Sequence, residues 1–499
     1  MNEVLEKYAL HHRIGLILGA AVFLVMLALP APAQMSAPAW KTTALTALMA
    51  IWWMSEAVPI FVTALLPIVL LPVLDIASIK DATAPYANPI IFLFMGGFFI
   101  ALAIEAHGLH RRIALWLLTK ISPQPPYIVG GFMLVAALIS MWVSNSATTL
   151  MMLPIGQSII ELLMQEEDDE SLRKNFSASL MLSIAYSSSI GGLGTLVGTP
   201  PNALFAGFMN ETYKVEISFM RWAMLGVPVV VLSLPLAWLV MTRFAFTLPR
   251  TPLRASRQAI ALQLQALGPM TRGEKLVGTV FIITALLWIF EPLLSSAFPK
   301  AKLSDAGIAI FGAVLLFLLP VDFKAGQFAL ELKQAKKLPY EVLILFGGGI
   351  SLAQAIQKSG LATFVSQSLS HLNDFSLLLM IFLVALAAIF ATELIGNTAL
   401  AATMLPIVAP IALAMGENPI FLLLPATLGV SCAFMLPVGT PPNAIVYASG
   451  YINMPQMARA GLWLNALFTV LLTFLVFFLA PLVFEAQFGT LPEWAKIQK

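Results

Sequence analysis

Two stretches of this chain carry the same polar interruptions inside apolar sequence. The first contains Ser144-Asn145-Ser146 and then Gly198-Thr199-Pro200-Pro201-Asn202-Ala203, and the second contains Gly396-Asn397-Thr398 and then Gly439-Thr440-Pro441-Pro442-Asn443-Ala444. The asparagine triplets are 252 residues apart (145 to 397), and the Gly-Thr-Pro-Pro runs are 241 residues apart (199 to 440). A repeat whose matched positions are Asn, Ser, Thr, Gly and Pro within apolar sequence is typical of a transporter binding site.

The composition indicates a membrane protein. Of the 499 residues, 59% are hydrophobic and only 10% are charged, and the mean hydropathy is +0.90. A soluble chain of this length carries about a quarter charged residues. Residues 15–29, 226–240 and 462–479 contain no charge at all, and such runs are close to or within the length of about 17–25 residues that spans a bilayer as a helix. The chain is therefore predicted to be an all-α polytopic membrane protein.

Several function classes have no support in the sequence. Cys432 is the single cysteine, so an intrachain disulfide is excluded, and the five histidines all lie outside the polar interruptions. No metal-ligand spacing and no nucleophile–base set occurs at membrane depth, which argues against a cofactor or an enzyme. The net charge of +2 gives no indication of nucleic-acid binding. The apolar run up to Leu29 resembles a signal peptide, but we interpret it as a retained first span.

We expect about 11 transmembrane helices and two further apolar segments, at 126–165 and 375–416, that an asparagine triplet interrupts midway. Each of these segments is either two spans or one re-entrant hairpin. The spans are predicted at 14–30, 43–56, 58–75, 88–107, 178–209, 222–246, 275–296, 304–321, 340–357, 420–449 and 461–484.

The distribution of basic residues favours hairpins. With hairpins and a cytoplasmic N-terminus, the basic cluster 110–112, the linker 247–275 and the loop 322–340 all lie inside, and the shorter, less basic loops 210–221, 297–303 and 358–374 lie outside. This agrees with the positive-inside rule. Five spans then separate the matched elements, so the two copies form an inverted repeat. The acidic run 166–170 is expected to be a solvated loop.

Each Gly-Thr-Pro-Pro run is predicted to end one half-helix and begin another inside the membrane. Gly198 lets the backbone leave helical geometry, Thr199 is a favourable N-cap, and Pro200 suits the first helical position. The new N-terminus favours an anion, and the carbonyls of the preceding half-helix favour a small cation. A simple proline kink is the alternative, but two copies in register make it a poor explanation.

The hairpin tips supply further ligands. Asn145 and Asn397 each offer amide donors and an acceptor, and Ser140 and Ser144 precede the first, as Thr392 and Gly396 precede the second. These neutral oxygens suit sodium, besides capping the hairpin helices. Two anion-friendly sites without Arg or Lys suit a dicarboxylate whose charge bound cations help to neutralise. Sulfate is smaller than such a two-ended pocket favours.

Three acidic residues lie near these segments. Glu56 is at a tight turn between two spans, and Glu105 is expected to be solvated at a cytoplasmic helix end. Glu393 adjoins the second tip, where a structural hydrogen bond within that hairpin is favoured over a proton relay.

In these motifs the chain resembles the divalent anion/sodium symporter family, which includes di- and tricarboxylate and sulfate carriers. The tips resemble the family's Ser-Asn-Thr pattern, and residues 431–446 resemble a second family signature. The resemblance implies a homodimer that works as an elevator, with scaffold at 1–125, 211–374 and 451–499 and a transport domain at 126–210 and 375–450. It also implies three sets of ligands: substrate contacts at Asn145, Ser146, Thr199, Pro200, Asn397, Thr398, Thr440 and Pro441; one sodium at Ser140, Ser144, Asn145 and the Gly198 carbonyl; and a second sodium at Thr392, Gly396, Asn397 and the Gly439 carbonyl.

The chain departs from the family pattern at two positions. Ser146 replaces the usual Thr and keeps its hydroxyl, whereas Gly396 replaces the usual Ser and removes one from the second tip. The expected function is sodium-coupled symport of C4-dicarboxylates, succinate-like, across the cytoplasmic (inner) membrane. Gly396 leaves open a sodium-independent dicarboxylate exchanger. The sequence also leaves open a sulfate or tricarboxylate carrier of the same family and, from a different class, an anion channel.

Overall fold

The computed structural model describes residues 10–166, 169–249, 254–369 and 375–496. Arg250 of the basic linker and residues 167–168 of the acidic run lie outside these ranges. The described residues include one small antiparallel sheet, formed by Pro320–Asp322 and Gln327–Phe328. The α-helices are Leu10–Ala28, Ala37–Ser55, Ile60–Thr63, Leu66–Val73, Ile79–Thr83, Pro89–Ala106, Leu109–Leu118, Pro125–Ser140, Asn145–Glu166, Glu170–Gly192, Pro200–Tyr213, Phe219–Leu239, Arg254–Ala266, Arg272–Ala297, Asp305–Leu318, Leu332–Ala335, Tyr340–Lys358, Leu361–Ser368, Leu377–Ala391, Asn397–Ala414, Ile420–Gly429, Pro441–Ala448 and Met454–Phe484.

The helical, multi-pass fold class is confirmed. Seven helices in the described ranges are long and apolar enough to cross a membrane, and five more apolar helices are shorter. Several predicted spans are shorter because proline or glycine divides them. The predicted span 58–75, for example, is two helices, with Pro59 at the N-cap of Ile60–Thr63 and a proline in the first turn of Leu66–Val73. Proline is tolerated there because the first helical turn needs no amide donor.

Both interrupted segments are helix–turn–helix hairpins. Hairpin 1 comprises Pro125–Ser140 and Asn145–Glu166, and hairpin 2 comprises Leu377–Ala391 and Asn397–Ala414. The second helix of each begins at the asparagine that the sequence singled out. The polar triplets therefore lie at the hairpin tips.

The two broken helices are interrupted over longer stretches than expected. Break 1 covers residues 193–199, between Glu170–Gly192 and Pro200–Tyr213, and break 2 covers residues 430–440, between Ile420–Gly429 and Pro441–Ala448. The prediction that the chain leaves the helix at Gly198 was wrong, because the first half-helix already ends at Gly192. There Gly191 is pressed against the Ala137 backbone of hairpin 1, where an added Cβ would come within 2.3 Å of the Ala137 carbonyl oxygen.

One close backbone contact recurs in both halves. An added Cβ on Gly226 would lie 2.4 Å from the Leu193 carbonyl oxygen, and one on Gly461 would lie 2.2 Å from the Phe434 carbonyl oxygen. Leu193 and Phe434 occupy matched positions in the two breaks, 241 residues apart. Helices Phe219–Leu239 and Met454–Phe484 thus press small residues against the breaks, the usual way in which membrane helices approach closely. Both helices were expected to belong to the scaffold. Met454–Phe484 packs mainly with Leu377–Ala391 of hairpin 2 and with the half-helix Ile420–Gly429, and Phe219–Leu239 packs with Met454–Phe484, with Pro125–Ser140 of hairpin 1 and with Glu170–Gly192.

Candidate functional site

The two tips and the two breaks meet at one cavity of 1120 Å³. Every residue predicted to contact the substrate lines it, as do Ser144, Gly198, Gly396 and Gly439 of the predicted sodium sites. Ser140 and Thr392 do not line the cavity, and both are fully buried behind the tips. The structure therefore brings the predicted residues together in two layers, with the substrate set facing the cavity. The predicted substrate contacts that line the cavity are Asn145, Ser146, Thr199, Pro200, Asn397, Thr398, Thr440 and Pro441.

The two tips place a hydroxyl against the asparagine amide oxygen in the same way. Ser140 Oγ donates to Asn145 Oδ1 at 2.6 Å, whereas the Thr392 hydroxyl has two acceptors for its one proton, Asn397 Oδ1 at 2.8 Å and the Val430 carbonyl oxygen at 2.6 Å. In each case the hydroxyl and the amide oxygen keep lone pairs that can accept a cation. The tips differ in one cap, because Ser144 Oγ accepts from the Ala147 amide at 3.3 Å, whereas Gly396 has no side chain to do so.

Oxygen atoms converge on a small space at the first tip. An added Cβ on Gly192 would lie 2.7 Å from Asn145 Oδ1 and 3.2 Å from the Gly198 carbonyl oxygen. Neutral amide and carbonyl oxygens gathered around a space that only glycine leaves open fit a small hard cation such as sodium. The matched position in the second half is Ala433, and there a methyl group already occupies the equivalent space.

Four helices begin at the cavity, at Asn145, Pro200, Asn397 and Pro441. Each N-terminus carries about half a positive charge and favours an anion. The second half-helices were expected to favour an anion at their N-termini, but they offer it no amide from their first two positions, because consecutive prolines there carry no N–H. Direct hydrogen bonds to an anion must therefore come from the tip amides and from hydroxyl side chains. Thr199 supports this view, since its side chain makes no capping hydrogen bond.

The asparagine after each Pro-Pro pair holds its break in shape. Asn202 Nδ2 donates to the carbonyl oxygens of residues 192 and 195, at 3.0 and 2.8 Å. Asn443 Nδ2 donates to those of residues 433 and 436, both at 3.0 Å. The separations of ten and seven residues are identical in the two halves, and both asparagines are fully buried. The sequence signal was the Asn-Ala that follows both Pro-Pro pairs, and sequence reasoning gave it no role.

Glu393 is a buried carboxylate with four donors. Its oxygens accept from the amides of residues 434, 435 and 436 at 2.7, 2.8 and 2.9 Å, and from Asn465 Nδ2 at 2.8 Å. These bonds are structural, as expected, but their predicted location was wrong, because they leave hairpin 2 and reach break 2 and the last long helix. The acceptor-only carboxylate is the form that matches four donors.

The remaining wall of the cavity is acidic. Glu56, Glu105 and Glu341 line it, and Lys337 is the one basic side chain among the described lining residues. Glu105 is exposed, which agrees with the expectation that it is solvated. The cavity thus opens on the face that carries the basic loop 322–340, the loop that the charge distribution assigns to the inside.

Comparison with known proteins identifies the fold and its family. The family model described as the sodium:sulfate symporter transmembrane region matches residues 10–484. The chain belongs to this family. Its members are membrane transporters and not enzymes, so the chain is an integral, multi-pass transport protein.

Two curated relatives are similar over nearly their whole length. Both are described as the sodium-dependent dicarboxylate transporter SdcS, one from Staphylococcus saprophyticus and one from Staphylococcus aureus. The first is 40% identical over 482 residues, 95% of this chain and 93% of the relative. The second is 40% identical over 475 residues, 94% of this chain and 91% of the relative.

A solved structure shares the fold at low sequence identity. The YdaH transporter of Alcanivorax borkumensis, described as having an unusual topology, superimposes with a TM-score of 0.56 at 14% identity. The match covers 93% of this chain and 96% of that chain. At this identity the likeness concerns the fold alone.

Proposed function

We propose that this protein is a sodium-coupled symporter of C4-dicarboxylates such as succinate. The observation that carries the proposal is the convergence of four helix N-termini and two asparagine tips on one cavity. The N-terminal partial charges favour a ligand with two negative groups. The oxygens behind the tips favour sodium. The names of the two relatives agree with both parts.

In this proposal each residue set keeps the role predicted for it. Asn145, Ser146, Thr199 and Pro200 contact one carboxylate end, and Asn397, Thr398, Thr440 and Pro441 contact the other. One sodium ion binds at Ser140, Ser144, Asn145 and the Gly198 carbonyl, and a second binds at Thr392, Gly396, Asn397 and the Gly439 carbonyl. Because the tip amides and hydroxyls serve both ligands, bound sodium neutralises substrate charge at short range.

The proposed mechanism is an elevator within a homodimer in the cytoplasmic membrane. The moving body consists of both hairpins and both broken helices. On the packing described above we add Phe219–Leu239 and Met454–Phe484 to it, which revises the domain assignment expected from the resemblance. With a cytoplasmic N-terminus, the basic loops lie inside and the cavity opens inward.

A polar contact on the outer side of the protein is consistent with a cavity that opens inward. Glu211, near the end of the half-helix Pro200–Tyr213, accepts from Asn88 Nδ2 and Gln354 Nε2, each at 2.6 Å. Asn88 caps the helix Pro89–Ala106, and Gln354 belongs to Tyr340–Lys358. A carboxylate on the moving body thus bonds two amides of the surrounding helices. We assign this contact to closure of the outer side in the inward-open state.

Uptake by purified protein in liposomes tests the function. Labelled succinate should accumulate when a sodium gradient is imposed, and it should not accumulate when choline replaces sodium. Accumulation that needs only internal dicarboxylate would establish an exchanger, and uptake that does not saturate would indicate a channel. Excess sulfate or citrate, added as competitor, separates the other anions of the family.

The site assignment has its own test. Asn145→Ala and Asn397→Ala each remove a side-chain amide that is proposed to bind both sodium and the dicarboxylate. Each variant should therefore lose sodium-dependent uptake, while its elution volume in size-exclusion chromatography stays that of the wild type. Crosslinking of the purified protein reports the dimer. Wild-type uptake rates in both alanine variants would contradict the assignment.

A further inference from the structure

Glu56 has an unusual backbone conformation. It follows the helix Ala37–Ser55 with φ 46 and ψ 38, and its N–H bonds to the Trp52 and Trp53 carbonyl oxygens. This left-handed position normally holds glycine or asparagine, and an L side chain raises the energy by about 1–2 kcal/mol there. A glutamate in such a conformation is a reason to look for a function.

The carboxylate of Glu56 faces the second hairpin tip. An added Cβ on Gly396 would have a single atom within 4 Å, Glu56 Oε1, at 3.6 Å. Both residues line the cavity beside Asn397 and Thr398. Within the described ranges no hydrogen bond is donated to the Glu56 side chain, and its Oε1 atom is the one that approaches this tip.

The second tip is the one that is short of oxygen. It carries Gly396 where the first tip carries Ser144, and it carries Ala433 where the first half leaves space at Gly192. A carboxylate near a dicarboxylate site repels the substrate, whereas it attracts a cation. An anionic side chain beside the poorer cation site is therefore physically reasonable only if it serves the cation.

We propose that Glu56 determines the sodium affinity of the second tip by supplying the negative charge that faces Gly396. The inference rests on the proposed sodium coupling and adds a residue from outside the moving body. Helix Ala37–Ser55 packs mainly against Leu10–Ala28, and it has smaller contacts with Tyr340–Lys358 and with Asn397–Ala414 of hairpin 2. Because its main partner is another scaffold helix, the proposal is that Glu56 faces Gly396 in the inward-open position and that the two separate when the moving body shifts.

Sodium titration of Glu56→Gln tests this directly. The variant keeps the size of the side chain and removes its charge. The sodium concentration for half-maximal succinate uptake should rise about tenfold, while the succinate KM at saturating sodium stays within about twofold. Glu105→Gln is the matched control, because it removes the same charge from the same cavity wall but not from beside Gly396. It should leave half-saturating sodium within about twofold.

A binding readout separates this effect from transport. The unfolding temperature of the purified protein should rise with sodium chloride and not with choline chloride, because a ligand that binds the native state stabilises it. In Glu56→Gln the same rise should need about tenfold more sodium. A wild-type protein that shows no sodium-dependent uptake would refute the proposed function. A sodium-dependent wild type with an unchanged titration in Glu56→Gln would refute only the role of Glu56.

The most specific test introduces a serine hydroxyl at position 396. Gly396 has φ −57 and ψ 133, an ordinary conformation for serine, and its Cβ would make only normal van der Waals contact. Gly396→Ser should therefore fold, and in combination with Glu56→Gln it should return half-saturating sodium to within about threefold of wild type. Glu56→Asn is a second variant without the charge. The charge argument is wrong if Glu56→Asn binds sodium normally and the double variant is as impaired as Glu56→Gln alone.

Discussion

Replacing Glu393 with glutamine should uncouple hairpin 2 from break 2. Glu393 is 3% exposed and accepts four hydrogen bonds, three of them from consecutive amides of the break. Glutamine has nearly the same size but presents one oxygen and one NH₂ group. In its better orientation the oxygen keeps three donors, and the NH₂ group faces the amide of Leu436. That amide is then buried next to a second donor.

The magnitude follows from the bonds that change. Loss of a hydrogen bond to a charged group removes about 1.5–3 kcal/mol, and a buried donor left without an acceptor adds about 1–3 kcal/mol. Loss of charge also weakens the three remaining bonds. Part of this is offset because an uncharged side chain loses less hydration on burial. We expect a net loss on the order of 3 kcal/mol from the free energy of unfolding.

The first half offers a matched control. Met141 and Thr195 occupy the positions that match Glu393 and Leu436, and there Thr195 Oγ1 donates to the Met141 carbonyl oxygen. This neutral bond is worth about 1 kcal/mol, so Thr195→Val should lower the unfolding temperature about a third as much as Glu393→Gln. Both are measured in detergent by intrinsic tryptophan fluorescence. Equal stability of Glu393→Gln and wild type, together with a normal sodium response, would refute the reasoning.

Three further predictions concern the two breaks and the hydrogen bonds of Glu211 with Asn88 and Gln354. Asn202→Leu removes the donor that two break carbonyls share, and should lower sodium-dependent uptake at least about tenfold; normal uptake would contradict the shaping role. Gly226→Ala forces a methyl group against a break carbonyl and should cost about 1–3 kcal/mol of stability, whereas Gly278→Ala, whose Cβ would meet only Leu109 at 3.4 Å, should be neutral or stabilising in the same thermal assay. Glu211→Gln should increase labelling, from the outer face, of a cysteine introduced as Thr398→Cys. Unchanged labelling would contradict the proposal that the Glu211 contact closes the outer side.

The hairpin tips and half-helix starts could be predicted because their signals are local. Each half-helix begins at the proline that follows a threonine, at Pro200 and Pro441, and each second hairpin helix begins at the tip asparagine, at Asn145 and Asn397. The cavity followed from the repeat, since polar backbone at membrane depth must meet protein or a watery space. These residues therefore appeared together in the structure as expected.

The remaining features depend on residues that are distant in sequence. The early end of the helix at Gly192 depends on how closely Gly191 approaches hairpin 1, and the partners of Glu393 lie 41 to 72 residues away. The role of Gly226 and Gly461 required knowing which helices pack against the breaks. Hydropathy identifies each of these segments as a span, but it carries no information about which neighbour the span touches.

The two halves share a backbone plan but not an electrostatic one. In the first half the tip serine belongs to the predicted cation site, the open space at Gly192 adjoins it, and the position that matches Glu393 takes part in a neutral threonine bond. In the second half the serine hydroxyl and the space beside the tip are missing, and carboxylates lie on two sides of the tip. Glu393 is buried beside Gly439, since a Cβ added to Gly439 would lie 3.2 Å from a Glu393 carboxylate oxygen. Glu56 approaches from the cavity. Because a fixed negative charge acts over a longer range than a neutral oxygen, we expect the proposed second site to bind sodium with fewer direct ligands. It follows that raising the ionic strength with an inert salt should weaken sodium binding more at the second site than at the first.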